Sequence, residues 1–464
     1  MNTKLLSVLA AASLAMVLLI QVSIVQPMSA AASNDSSGFN FSSLKKSAEC
    51  ILETAGSALP WKLPNGYTQT IIAIEDITQA TFEDLPDMNQ QNEEDIPMPD
   101  ALLDAGVEDE EAELGRLLYT THEVGSGSSV SVTDLYTGVT VKIAEEDHWE
   151  RFDGLKWTPW GTLLAAEETI TASFSDPDSP ASISGLVYEI DPVTGEHEVK
   201  PQLGSLAHEG IVIDKDSNIY VIDENARGTI YKFVPDEDPT GAGEVPDGQL
   251  YVLKIVDDTK APGERTGTAE WVPLDRDAVK VSARDAAFAA GATLYNRPED
   301  GDIIGDKVFF ALTGASAPGP VDNRVISINI KSSTKPFVQE FVVAGINVPV
   351  EVDSDGGSDE KTGFRAPDNL AVQGNKLWIM EDNGPSDLWV ASPDNNKNGY
   401  SDKVSLFASM EDCSGEGTGI HFGIGEFRGI LFVNHQHAGP TVDDDEIGPD
   451  SKMAIMKAED KDDD

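Results

Sequence analysis

Positive charge is scarce in this chain: 32 Lys and Arg stand against 81 Asp and Glu in 464 residues, a formal net charge of −49 at pH 7. Proteins that hold a polyphosphate backbone neutralise it with clustered Lys and Arg, so no nucleic-acid partner is expected. Cysteine is nearly absent. Cys50 and Cys413 are the only two, and in an oxidising compartment two thiols pair more often than they hold a metal, so a Cys50–Cys413 disulfide is expected. Long apolar runs are missing beyond the leader, which leaves no second candidate for a membrane span. The leader has Lys4, the apolar run Leu5 to Val25 and the small-residue stretch Pro27-Met28-Ser29-Ala30-Ala31-Ala32 of a secretory signal. It lacks an Arg-Arg pair, so the chain is expected to be exported unfolded and to acquire any metal outside. The expected location is secreted or extracytoplasmic. The length of the apolar run keeps an uncleaved N-terminal anchor as the alternative, and membrane contact is expected only in that case.

What is present is an ordinary, turn-rich globular composition, 40% hydrophobic with 40 Gly and 26 Pro. The acidic surplus has two physical readings: a solvated surface, or carboxylates gathered to hold hard cations. A repeat favours the second. A polar or acidic element leads into an apolar strand, a turn, and a second apolar strand that ends in polar or acidic residues. One copy runs from Ala207-His208-Glu209-Gly210 through Ile211-Val212-Ile213 and the Asp216-Ser217-Asn218 turn to Ile222-Asp223-Glu224. Others run from Arg297-Pro298-Glu299-Asp300 to Leu312-Thr313 and from Ala366-Pro367-Asp368-Asn369 to Met380-Glu381-Asp382. Weaker copies end at His122-Glu123, Glu167-Glu168 and Asn434-His435-Gln436-His437. Irregular spacing over several tens of residues fits the blades of an all-β fold, a six-bladed β-propeller with an N-terminal extension. The expected layout is a leader at 1–32, an acidic extension packed outside at 33–118, the propeller at 119–440 and an acidic tail at 441–464. Within the extension, Glu83 to Arg116 reads as an acidic loop or short helical stretch on a solvated surface; within the propeller, Asp285 to Ala292 reads as a short helix ending at Gly.

A hairpin returns both free ends to the same side of its sheet, so these polar ends would form a ring at one mouth of the channel. The candidates are Glu123, Glu167, Glu168, Glu209, Glu224, Glu299, Asp368, Glu381, Asp382 and Glu416, beside His122, His208 and His437. Crowded carboxylates repel unless cations neutralise them, so a polynuclear cation site is the physical expectation. Glu168, Glu209, Glu299 and Glu381 are the first choices as ligands, and Arg297, beside Glu299, is the group best placed to hold an anion. Each acidic end could instead be a simple turn former, and Arg297 a salt bridge within its sheet. His148 and His197 have no ligand spacing and read as structural. Separately, Asp394, Asn396, Asn398 and Asp402 stand at positions one, three, five and nine of a loop with Gly399 at six, and Tyr400 would add its carbonyl. That spacing suits one structural Ca²⁺, weakened because Ser405 replaces the bidentate acid at position twelve. An Asn-rich turn without an ion is the alternative.

Taken in order, Thr158-Pro159-Trp160-Gly161-Thr162 with Glu167-Glu168, His208-Glu209-Gly210, Arg297-Pro298-Glu299, Pro367-Asp368-Asn369-Leu370 with Leu377-Trp378-Ile379, and Leu431-Phe432-Val433 with Gln436-His437 resemble the PhoX alkaline phosphatase family. The resemblance runs from about Tyr119 to Gly439. It implies a six-bladed propeller and an extracytoplasmic phosphomonoesterase with an iron and calcium cluster at the mouth, acting on a small phosphorylated substrate. Two departures stand out. The family's iron-ligating Cys lies just upstream of the Thr-Pro-Trp-Gly-Thr motif, where this chain reads Asp153-Gly154-Leu155-Lys156-Trp157, and the family's usual twin-arginine leader is absent. Both favour calcium over iron in an all-oxygen site. In the phosphatase reading the cations polarise the phosphoryl oxygens and activate water for in-line attack, while Arg297 stabilises the equatorial oxygens. A calcium-dependent lactonase-like hydrolase, and a non-catalytic calcium-stabilised propeller used for binding, are the alternatives. The protein is expected to be a monomer.

Overall fold

The computed structural model describes residues 38–49, 59–75, 81–314, 322–332, 335–353, 361–382, 385–412, 415–437 and 450–458. The leader, Cys50 and Cys413 lie outside these residues, and with them the expected anchor and disulfide.

Short apolar, β-branched stretches separated by Asp, Asn and Gly turns fold as antiparallel strands. In one such turn the Asp214 carboxylate accepts the backbone N–H groups of Asp216 (2.9 Å) and Asn218 (3.0 Å) while Ser217 takes the left-handed conformation, φ 59°. The first sheet orders Pro86–Gln91, Leu117–His122, Ser129–Asp134 and Thr140–Glu145. The second orders Phe152–Trp157, Leu163–Glu167, Val187–Ile190 and His197–Val199. The third has nine strands, in which Ile211–Ile213, Ile219–Ile222, Ile230–Pro235 and Gly248–Asp257 are followed by Gly267–Pro273 and then, in reverse order, Phe337–Val343, Arg324–Asn329, Lys307–Leu312 and Pro298–Ile304. The fourth orders Pro367–Gln373, Lys376–Glu381, Asp387–Ala391, Val404–Met410 and Trp61–Lys62. The fifth orders Glu416–Phe422, Ile430–Gln436, Ser451–Lys457 and Tyr67–Ile74.

These sheets pack face to face in an all-β, propeller-like arrangement. Tyr119, Trp149, Phe152, Trp157 and Tyr188 fill the space between the first two sheets. Phe39, Trp61, Trp378, Phe407 and Met453 fill the space between the fourth and fifth. Side chains on both faces of most strands are therefore buried, which explains the near-continuous apolar runs. Among the described residues no helix is long and apolar enough to cross a membrane.

The sheets overrun the expected boundaries at both ends. Tyr67–Ile74 pairs with Ser451–Lys457, from Tyr67 opposite Lys457 to Ile74 opposite Ser451, so the supposed outer extension and the supposed tail together complete the fifth sheet. Glu83 to Arg116 is solvated only in part: the short helix Asp100–Asp104 and the exposed run Glu108-Asp109-Glu110-Glu111 agree with the expectation, but Glu83 is buried and Pro86–Gln91 opens the first sheet. The helix expected at 285–292 is the second part of a helical stretch, Arg276–Ala290, that breaks at Ser282, where the backbone is extended (φ −158°, ψ 100°). Asp275 caps its N-terminus by accepting from Asp277 and Ala278 N–H, and Gly291 ends it at φ 72°.

One local device recurs and positions the site. Leu85 (φ 50°), Arg151 (φ 52°), Arg297 (φ 48°) and Ala366 (φ 37°) each adopt a left-handed backbone just before the first strand of a hairpin. Such conformations cost on the order of 1 kcal/mol or more for residues with a Cβ. The strands that follow slip register against their partners, between Pro86 and Asn89, Pro298 and Gly301, and Pro367 and Leu370. A bulge of this kind re-aims the side chain it carries.

Candidate metal centre

In four hairpins the re-aimed residue is an acid two positions after the left-handed one: Asp87, Asp153, Glu299 and Asp368. Glu209 and Glu416 open the remaining hairpins. The second strands return to the same end, where their last residues are fastened across the hairpin. The N–H of Glu123 donates to Leu85 O (2.8 Å), that of Glu168 to Arg151 O (2.9 Å), that of Glu224 to Ala207 O (2.9 Å), that of Thr313 to Arg297 O (3.0 Å) and that of Asp382 to Ala366 O (2.9 Å).

The result is a convergence of carboxylates in two tight groups. Oxygens of Asp87, Glu123 and Asp153 lie within 4.8 Å of one another, as do those of Glu209, Glu299 and Asp368. Asp87, Asp153, Glu209, Glu299 and Asp368 are all buried. Asp87 Oδ1, Asp153 Oδ1, Glu209 Oε2 and Glu299 Oε1 accept no hydrogen bond. Glu299 Oε1 is 3.2 Å from Arg297 Nε, but without the alignment of a hydrogen bond.

Burial first, and the neighbouring carboxylates second, push Asp87, Asp153, Glu168, Glu209 and Glu416 well above the usual carboxylate range. Burial raises Glu299 similarly, with Glu224 adding to it. Burial and Asp382 bring Asp368 up to about 7. Glu123 is raised by burial, against the pull of Arg151. Such groups are costly as anions unless cations compensate them. The compensation supplied by the described residues is small. Arg297 donates to Glu224 and lies 3.5 Å from Asp382 Oδ2. Arg151 Nη1 stands 3.6 Å from Glu123 Oε1 and 3.8 Å from Glu168 Oε2. The Gln436 amide donates to Asp87 Oδ2 (3.4 Å) and Glu123 Oε2 (3.2 Å).

Eight of the expected acids thus converge: Glu123, Glu168, Glu209, Glu224, Glu299, Asp368, Asp382 and Glu416. Glu167 and Glu381 do not. Strand side chains alternate between faces, so of two adjacent acids only one reaches the axis. Glu167 Oε1 and Oε2 accept the N–H groups of Glu150 (2.9 Å) and Leu186 (3.0 Å), and Glu381 Oε1 accepts from Arg365 N and Trp389 Nε1 (2.8 Å each). Both hold neighbouring segments together. The histidines also fall largely outside the group. His122 bonds Asp84 O and Ser131 Oγ, His208 bonds Gly204 O (2.7 Å), and only His437 sits at the edge, 3.9 Å from Glu416 Oε2. His148 contacts Asp176 and His197 contacts Glu146, both away from the acids.

Two members escaped the sequence reading. Asp87 lies in the stretch that composition assigns to solvated surface, although Leu85-Pro86-Asp87 repeats the pattern of Arg297-Pro298-Glu299 and Ala366-Pro367-Asp368. Asp153 was noted for the missing thiolate, but its own carboxylate completes the first group. The group therefore offers only oxygen donors among the described residues. That suits hard cations such as calcium and does not suit a thiolate-held iron.

The 394–402 loop joins the third and fourth strands of the fourth sheet, which by antiparallel order is the end opposite these acids. Its oxygens are engaged internally. Asp394 accepts from Asn398 N (3.0 Å) and Gly399 N (2.9 Å), Asn398 from Tyr400 N (2.9 Å), and Asp402 Oδ1 from the Asn396 amide (2.5 Å).

The sequence over residues 156–439, more than half of the chain, matches the family alkaline phosphatase PhoX. No curated protein sequence matches the chain. Among solved structures, that of Pseudomonas fluorescens PhoX in complex with vanadate, a transition state analogue, is similar at 18% identity and a TM-score of 0.60, covering 90% of this chain and 98% of that one. A catalytically inactive virginiamycin B lyase from Staphylococcus aureus is similar at 11% identity and a TM-score of 0.41, covering 84% and 99%.

Proposed function

We propose, from the premise that this chain belongs to the PhoX alkaline phosphatase family and is a phosphatase, that it hydrolyses phosphate monoesters with hard cations held by the converging carboxylates. The observation that carries this reading is the pair of oxygen groups in which four buried carboxylate oxygens, on Asp87, Asp153, Glu209 and Glu299, accept no hydrogen bond. Asp87, Glu123 and Asp153 would hold one cation and Glu209, Glu299 and Asp368 another, with Glu168, Glu224, Asp382 and Glu416 around them. Calcium is the cation these donors favour. When bound, such ions neutralise the acids and polarise the phosphoryl oxygens. They would also let so acidic a protein admit a phosphate dianion. Arg297 is the residue placed to stabilise charge developing on the transferring group, its fork fixed by Glu224 and Asp382.

Six blades belong to the same proposal. Gly267–Pro273 is in ladder register with Phe337–Val343 at only two positions, Gly267 with Val338 and Thr268 with Phe337, so the nine-stranded sheet reads as two blades joined at their outer edges. Six first strands, starting at Pro86, Phe152, Ile211, Pro298, Pro367 and Glu416, neighbour one another in that cyclic order, the last returning to the first, which supports a closed ring. An extracytoplasmic location, calcium as cofactor and a small phosphorylated substrate complete the reading. The test is hydrolysis of p-nitrophenyl phosphate by calcium-loaded and chelated protein, beside elemental analysis of wild type and Glu209→Gln. Calcium-dependent turnover with metal and activity falling together in Glu209→Gln is expected. A fully calcium-loaded protein inert toward every phosphomonoester would favour the non-catalytic propeller, and lactone hydrolysis by that protein would favour the lactonase.

A further inference from the structure

Arg297 is not the only arginine in this architecture. Arg151 occupies the same place in its own hairpin. Both are left-handed, at φ 52° and φ 48°. Each donates its N–H back to the preceding hairpin, Arg151 to Val124 O and Arg297 to Asn225 O (2.8 Å each). Each accepts at its carbonyl the N–H of the residue fastening the second strand, Glu168 or Thr313. Each precedes by two residues a member of one oxygen group, Asp153 or Glu299. The equivalent position elsewhere carries Leu85, Ala207 and Ala366, so the charge there is not required by the backbone device.

The two guanidinium groups differ in what they hold. Arg297 is committed to Glu224 and Asp382 and is 35% exposed. Arg151 is 54% exposed, its nearest carboxylate oxygens lie at 3.6 and 3.8 Å, and its side chain donates no hydrogen bond among the described residues. A guanidinium has a planar fork of five N–H donors matched to phosphate oxygens. An open fork at the rim, beside a cation group, is suited to an arriving phosphate.

We infer that Arg151 is a second phosphate-binding residue, which captures the substrate's anionic oxygens at the mouth while Arg297 acts on the charge of the transferring group. This rests on the phosphatase reading. The test uses full-length, calcium-loaded protein and two readouts: affinity for inorganic phosphate by calorimetry, and KM and kcat for p-nitrophenyl phosphate. Arg151→Ala should weaken phosphate binding and raise KM about ten- to hundredfold, as expected for loss of a charge-assisted contact, with the loss falling on KM more than kcat. Arg151→Lys should recover part of the affinity, and calcium content should not change. Unaltered phosphate affinity and KM in Arg151→Ala would overturn the assignment and leave Arg151 a counter-ion to Glu123 and Glu168. Calcium lost in parallel with affinity would overturn it too. Should wild type bind phosphate but hydrolyse nothing, the phosphatase reading fails and the calorimetry alone decides Arg151. If wild type binds no phosphate, both fall.

Discussion

Calcium removal should invert the pH dependence of stability. In the metal-free fold, burial and Asp382 hold Asp368 at about 7, against an ordinary 3.8. Between those two values the folded state keeps a proton that the unfolded chain has lost. Stability therefore falls as pH rises through this window, the opposite of a salt-bridged aspartate. The displacement corresponds to on the order of 4 kcal/mol for this one group. Asp87, Asp153, Glu168, Glu209, Glu299 and Glu416 are displaced in the same direction. Calcium competes with those protons, so the stabilisation it confers should grow as pH rises from 5 to 8. Thermal melts in chelator and in millimolar calcium, at pH 5, 6, 7 and 8, read this directly. A chelated Tm that is flat or rises over that range, or a calcium increment equal at pH 5 and pH 8, would refute the reasoning.

Arg297→Ala should lower kcat about 10²–10³-fold, by analogy with removing one preorganised transition-state donor, while elemental analysis finds its calcium retained. Glu381→Ala, by contrast, should keep its metal and turnover but melt earlier, by about 1–3 kcal/mol of stability, because Arg365 N and Trp389 Nε1 lose their buried acceptor. Lys452 is buried and its ammonium is pushed down to about 7 by desolvation. Folding therefore strengthens as pH rises from about 7 to 10.5, and Lys452→Met should be more stable than wild type below pH 7 by up to about 5 kcal/mol, with no such rise in denaturant titrations. If the 394–402 loop holds a calcium, Asp394→Ala should shrink the calcium-dependent rise in Tm without a selective loss of turnover, and an unchanged rise marks the loop as a turn only.

The all-β fold and most of the acidic group were legible because the repeat has a physical cause: each hairpin must return its polar ends to one side. Which of two adjacent acids points inward was not legible from listing them. Glu168 and Asp382 face the axis and Glu167 and Glu381 face away because of strand alternation, and fixing that phase needs the register of the hairpin. Asp87 was hidden by composition, since an acid in an acid-rich stretch resembles solvated surface. The left-handed residue before Pro86 distinguishes it, and backbone conformation is not written in composition. The helical segment before the break at Ser282 was not legible because its packing face is thin: Val279 and Ser282 are its buried residues.

The pairing of Tyr67–Ile74 with Ser451–Lys457 bears on when this protein can become active. A chain synthesised from its N-terminus presents the partner of its final strand almost at once, then must wait for nearly all the remaining sequence before that strand exists. Asp87 and Glu123 emerge early, Glu416 late, so no partial chain can assemble the full set of carboxylates. Such long-range closure makes for slow folding. The first oxygen group, Asp87, Glu123 and Asp153, has all its residues long before the final strand exists, whereas Glu416 joins the set only near the end of synthesis.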